Sequence, residues 1–154
     1  VTAIAILASG AVSALGEGRA AASAGEPGVA ARVAIGLDEE LRGAGLTRPF
    51  LARVAGGDRG DDRSAWILER ALSGCLAELD AVRPRWREER VGLVLGTSSG
   101  GMRAAERVFA AVARGQRVTG GEAATYFGPM ARVARSLRRP LDPAVLVLAA
   151  CASG

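Results

Sequence analysis

The chain has 154 residues, 49% of them hydrophobic, enough to bury the core of one domain. Its net charge is +4, every basic residue is arginine, and aromatics make up only 4%, which argues against a basic groove with stacking platforms for nucleic acid. Two cysteines make no disulfide framework, histidine is absent, no cluster of potential ligands has metal-binding spacing, and no apolar run reaches the length of a membrane span.

In chain order, the first predicted element is a strand over 3–7, followed by a loop punctuated by Gly10, Ser13 and Gly16. No basic segment precedes this apolar start, so it does not read as a secretory leader, and a reduced, cytoplasmic setting is expected. The stretch 17–33 is small and Gly-rich, a loop with one helical turn, and 53–63 is a polar connector. Trp66, Ala71, Leu72, Cys75, Leu76, Leu79 and Val82 then keep helical spacing, which predicts a helix over 64–82. Ser64 or a preceding aspartate caps it, Pro84 stops it, and Cys75 serves as a small buried hydrophobe.

A second strand is predicted over 90–95. A helix follows over 102–113, with Met102, Ala105, Val108, Phe109 and Val112 on its buried side and Gly115 at its end. The next helix opens at Pro129, with Met130, Val133, Ala134 and Leu137 on one side and Arg132, Arg135 and Arg138 on the other. A last strand runs over 144–149. None of the three strands alternates polar with apolar, so each is expected to be covered on both faces. The order helix, strand, helix, helix, strand implies an α/β layered fold.

Two places carry chemistry. The turn Gly96-Thr97-Ser98-Ser99-Gly100-Gly101 lies between a strand and a helix, where backbone amides can face an anion, yet it is neither a dinucleotide fingerprint nor a P-loop. A plain structural turn explains it equally well. Cys151 follows the last strand and is flanked by Ala150, Ala152 and Gly154. A thiol at the start of a helix has a lowered pKa and a larger thiolate fraction, which suits attack on a thioester, whereas a structural cysteine is the commoner alternative.

Three motifs in order resemble the N-terminal portion of the beta-ketoacyl synthases, condensing enzymes of the thiolase-like superfamily. Residues 3–16 are similar to the family's first strand and its Gly-Ala-Val-(Ser/Thr)-x-Leu-Gly loop. Residues 90–97, with Gly100-Gly101, look like its second strand and Gly-Gly turn, and Ala150-Cys151-Ala152-Ser153-Gly154 is similar to its nucleophile site. The likeness spans almost the whole chain but under half of such an enzyme. On this reading, residues 1–154 are the N-terminal part of a synthase domain cut at both ends, with the N-terminal half of the thiolase-like layered α/β fold.

The resemblance implies decarboxylative Claisen condensation in fatty acid or polyketide biosynthesis. Cys151 would accept an acyl group from an acyl carrier protein or coenzyme A thioester, with its own backbone N–H as one oxyanion donor. Ser99 would stand at the mouth of the acyl pocket, where its small side chain admits longer or bulkier groups. The family implies a homodimer or a heterodimer with a related subunit, and no cofactor; nucleic acid and membrane partners are not expected. Its paired histidines, or histidine and asparagine, come from the C-terminal half, so this chain by itself is expected to be inactive. Ala149, Asp142-Pro143, Pro129-Met130 and the lack of tryptophan in 17–46 depart from the family pattern and point to a divergent branch. Retention of Cys151 distinguishes the chain from chain-length-factor subunits. The alternatives are a non-catalytic synthase-like protein and a small-molecule or nucleotide-binding α/β domain that uses the Gly96–Gly101 turn.

Overall fold

The computed structural model describes residues 4–22, 34–57, 62–119 and 121–148. The chain is mixed α/β, with helix predominating over small two-stranded ladders. It divides into two compact units, one made of Val1–Gly56 and Arg70–Val82, the other of Gly57–Glu69 and Arg83–Gly154.

The first unit contains two antiparallel hairpins. β1 (Val12–Ser13) pairs with β2 (Gly16–Glu17), and α1 (Arg19–Ala22) supplies the anticipated single helical turn. β3 (Ile35–Leu37) pairs with β4 (Phe50–Ala52) across a connection that holds the short helix α2 (Glu39–Gly43). Asp38 caps α2 by accepting a hydrogen bond from Leu41 N at 3.0 Å, and the same carboxylate accepts from Arg53 Nε. Arg53 also reaches Glu40 at 3.2 Å.

The predicted strand over 3–7 does not form in its described part. Residues 4–7 have no ladder partner among the described residues, and Ile4 and Ile6 are 97% and 89% exposed. Apolar composition supplies strand propensity, but a strand exists only where another backbone accepts its hydrogen bonds. The chain next passes over the last turns of helix α3 (Arg63–Val82), where Ser9 N donates to Glu78 Oε2 at 2.8 Å. Gly10 is required there: a Cβ at this position would stand 1.9 Å from the carbonyl oxygen of Ala71. Cys75, in the apolar stripe of α3, is half-buried with a free thiol.

α3 matches the predicted helix to within a residue. Asp62 is the aspartate that caps it, accepting from Ser64 N at 3.2 Å and Ser64 Oγ at 2.7 Å. In the second unit, Trp86 is buried within a short 3₁₀ turn (Trp86–Glu88), and Arg139 donates to the carbonyls of Trp86, Arg87 and Glu89. β5 (Leu93–Gly96) leads to α4 (Met102–Ala113), a 3₁₀ turn (Gly121–Ala124), α5 (Gly128–Leu137) and β6 (Ala144–Val147). Gly115, at positive φ, ends α4, and Pro129 sits in the first turn of α5, both as anticipated.

β5 and β6 pair in parallel, Leu93 to Ala144 through Gly96 to Val147. A parallel pair needs a long crossover, which α4 and α5 provide. Coverage of both strand faces, predicted from the apolar runs, is not found. Leu95 is 9% exposed, and Leu93 and Leu146 on the same face are half-buried. Val94 is 68% exposed and Val145 and Val147 share its open face, because no described residue packs over it. The apolar side of α4 is likewise open: Ala105 and Val108 are half-buried, but Met102, Phe109 and Val112 are exposed. α5 keeps Val133 buried and Arg135 and Arg138 exposed, but Arg132, expected on the same outer side, is half-buried and donates to Glu69 Oε2 at 2.7 Å.

Candidate functional site at the carboxyl end of the parallel strands

The hydrogen-bond ladder of the parallel pair continues one step past β5, where Thr97 N donates to Val147 O at 3.1 Å. The turn after β5 is thereby fastened to the last residue of β6. Within it, Thr97 Oγ1 accepts from Gly100 N at 2.9 Å and from Ser99 N at 3.4 Å. Two of the amides that a phosphate cradle would offer are therefore engaged inside the turn, which weakens the nucleotide-binding alternative.

The glycines of the turn have a steric reason. Gly101 adopts φ +80°, and a Cβ there would stand 2.2 Å from the carbonyl oxygen of Thr125. Gly100 would bring its Cβ within 3.0 Å of the Pro129 ring. The segment between the 3₁₀ turn and α5 thus lies directly on the turn, closer than any residue with a side chain would allow. This contact sets Tyr126 and Phe127 beside the start of α4.

The result is an apolar pocket of about 500 Å³ walled by Gly101, Met102, Phe109, Tyr126, Phe127 and Leu148. No charged side chain lines it. Its walls come from the turn, from α4, from the approach to α5 and from the residue that follows β6. Carboxyl ends of parallel strands are where α/β folds hold ligands, because the helices that follow leave a crevice there. The pocket can hold a flexible apolar group.

Ser99 is exposed in the turn and does not line the pocket, whereas its neighbours Gly100 and Gly101 do. Cys151 lies outside the described residues, three positions after the pocket residue Leu148. The site residues missed in the sequence are Tyr126 and Phe127; Thr97 reads there only as a member of the turn, not as the acceptor that holds it. A signal existed for the aromatic pair: two of the chain's six aromatic residues stand side by side, immediately before a helix-opening Gly-Pro.

Among the described residues no group of three His, Cys, Asp or Glu side chains is placed to hold a metal ion, and no helix is long and apolar enough to cross a membrane. No protein-family model, no curated protein and no solved structure matches the chain.

Proposed function

We propose that the chain carries the acyl-accepting part of a beta-ketoacyl synthase-type condensing site, with Cys151 as the nucleophile. The observation that carries this reading is the convergence at one end of the parallel pair. The turn after β5, an apolar pocket of about 500 Å³ and Leu148, the residue after β6, meet there, and Cys151 follows three positions later in the sequence. The three sequence motifs supply the family assignment, and with it the thiolase-like layering of the parent fold.

In the proposed step the Cys151 thiolate attacks the carbonyl carbon of an acyl thioester. A new carbon–sulfur bond forms through a tetrahedral oxyanion, the carbon–sulfur bond to the donor breaks, and the donor leaves as a thiolate that takes up a proton. The acyl tail occupies the apolar pocket, where removing its methylene groups from water stabilises the bound state by about 0.8 kcal/mol each. Carbon–carbon bond formation with a malonyl thioester follows in the complete enzyme, which draws its histidines from elsewhere. The acyl donor is a carrier-protein or coenzyme A thioester, the assembly a dimer and the setting cytoplasmic. Ser99, exposed beside the pocket wall, would influence which acyl groups enter.

The test is alkylation by a chloromethyl ketone that carries a medium-length acyl tail, read by peptide mass spectrometry. Cys151 should be labelled ahead of Cys75, and labelling at that position should vanish in Cys151→Ala. Labelling of Cys75 first, or equal rates at both thiols, overturns the assignment.

A further inference from the structure

A second concavity in the same unit is chemically unlike the apolar pocket. Ala65 on α3, Ala104 on α4 and Ala131 on α5 form its lining, and their small side chains leave a cleft of about 750 Å³. That volume lies in the range of small-molecule sites, roughly 300–1,000 Å³. Arg107 on α4, Arg135 on α5 and Arg138 just after α5 also line it.

The acids that line this cleft are largely engaged. Glu69 Oε2 accepts from Arg132 Nε at 2.7 Å and its Oε1 accepts from Ser136 Oγ at 3.1 Å. Asp62 is occupied in capping α3. Glu122, exposed in the 3₁₀ turn, is the remaining carboxylate of the lining. Arg107, Arg135 and Arg138 meet no carboxylate at ion-pair distance among the described residues, whereas Arg103, on the same helix as Arg107, faces Glu106. Arg138 also adopts φ +52°, a left-handed backbone that non-glycine residues seldom take.

We propose that this cleft binds a small organic phosphate bearing at least two phosphate groups. One carboxylate would be satisfied by a single guanidinium fork, whereas three guanidiniums free of carboxylate partners among the described residues, from α4, α5 and the residue after α5, match an anion with several charges and many acceptor oxygens. The alanine lining leaves room for the organic part of such a molecule.

Calorimetric titration of the chain with inorganic pyrophosphate at low ionic strength tests this. One saturable site with a Kd below about 1 mM is expected, weakened at least tenfold in Arg107→Gln/Arg135→Gln. The control Arg114→Gln/Arg117→Gln, changed outside the cleft lining, should bind as the parent does. Each single variant, Arg107→Gln and Arg135→Gln, should be intermediate, which separates a binding effect from a folding failure of the pair. Absence of saturable binding, full affinity in the cleft double variant, an equal loss in the control, or citrate binding as tightly as pyrophosphate overturns the proposal.

Discussion

The β3–β4 hairpin and the β5–β6 pair are both two-stranded ladders, but they are held by different forces. Every residue of the hairpin strands is exposed, and the hairpin is held at its base by charge: Asp38 joins the cap of α2 to Arg53, just beyond β4. The parallel pair has an apolar inner face with Leu95 in the core, and its ends are tied to a turn fixed by steric contact. A hairpin can rely on a connection shorter than a crossover and on a local cap. Parallel strands separated by a long crossover cannot, and they need burial to stay together.

Substitutions sharpen this contrast, beginning with the largest expected effect. Leu95→Ala should lower stability by about 3 kcal/mol in urea unfolding, through lost transfer energy and the cavity left behind. Val94→Ala, one residue away on the open face, should cost no more than about 0.5 kcal/mol. Equal effects at the two positions would mean that the open face is covered in solution. Phe50→Ala in the hairpin belongs with Val94, since its ring is largely exposed. Gly101→Ala should cost about 2 kcal/mol, because it adds a left-handed backbone penalty and forces the Thr125 carbonyl away. It should also open the apolar pocket, visible as a changed fluorescence of Tyr126, the chain's one tyrosine. An unchanged stability would show that the 125–129 segment does not rest on the turn.

The same contrast explains what the sequence made legible. α3, α4 and α5 are long enough for the helical period to repeat, and Asp62, Gly115 and Pro129 mark their limits. β5 and β6 were evident as apolar runs, since parallel strands carry their burial signal in composition. The hairpin strands Ile35–Leu37 and Phe50–Ala52 are too short to show a period, and their stabilising partners, Asp38 and Arg53, are fifteen residues apart. Apolar runs also mislead: residues 4–7 have the composition of a buried strand without its ladder, and Val94 is apolar without cover. Of the candidate site, the glycine turn was recognisable, but its reason was not. The carbonyl of Thr125 that excludes a side chain at Gly101 is brought there by α4 and the 3₁₀ turn, which no local pattern encodes.

The smallest effect is the acid response of the hairpin. The Arg53 guanidinium, and after it the Leu41 backbone N–H, hold the Asp38 carboxyl below its ordinary 3.8, lowered to about 2. A group with a depressed native pKa stabilises the fold above its unfolded value, and that contribution fades as pH falls from about 4 through 2. Glu40 shares the same guanidinium, at 3.2 Å, and adds a second negative charge facing Arg53. Titration of the Asp38 side-chain carbon by NMR should therefore give a midpoint near the low value, accompanied by shifts of the Ile35 and Phe50 amides. Asp38→Asn keeps an acceptor for Leu41 N but loses the charge, so those amides should lose most of their acid-induced shift while α2 stays capped. The β5–β6 amides should not respond over this range, since their ladder depends on burial around Leu95. A midpoint at the ordinary carboxylate value would mean that Arg53 does not hold Asp38 in solution, and the hairpin would then depend on its cap and its ladder hydrogen bonds alone.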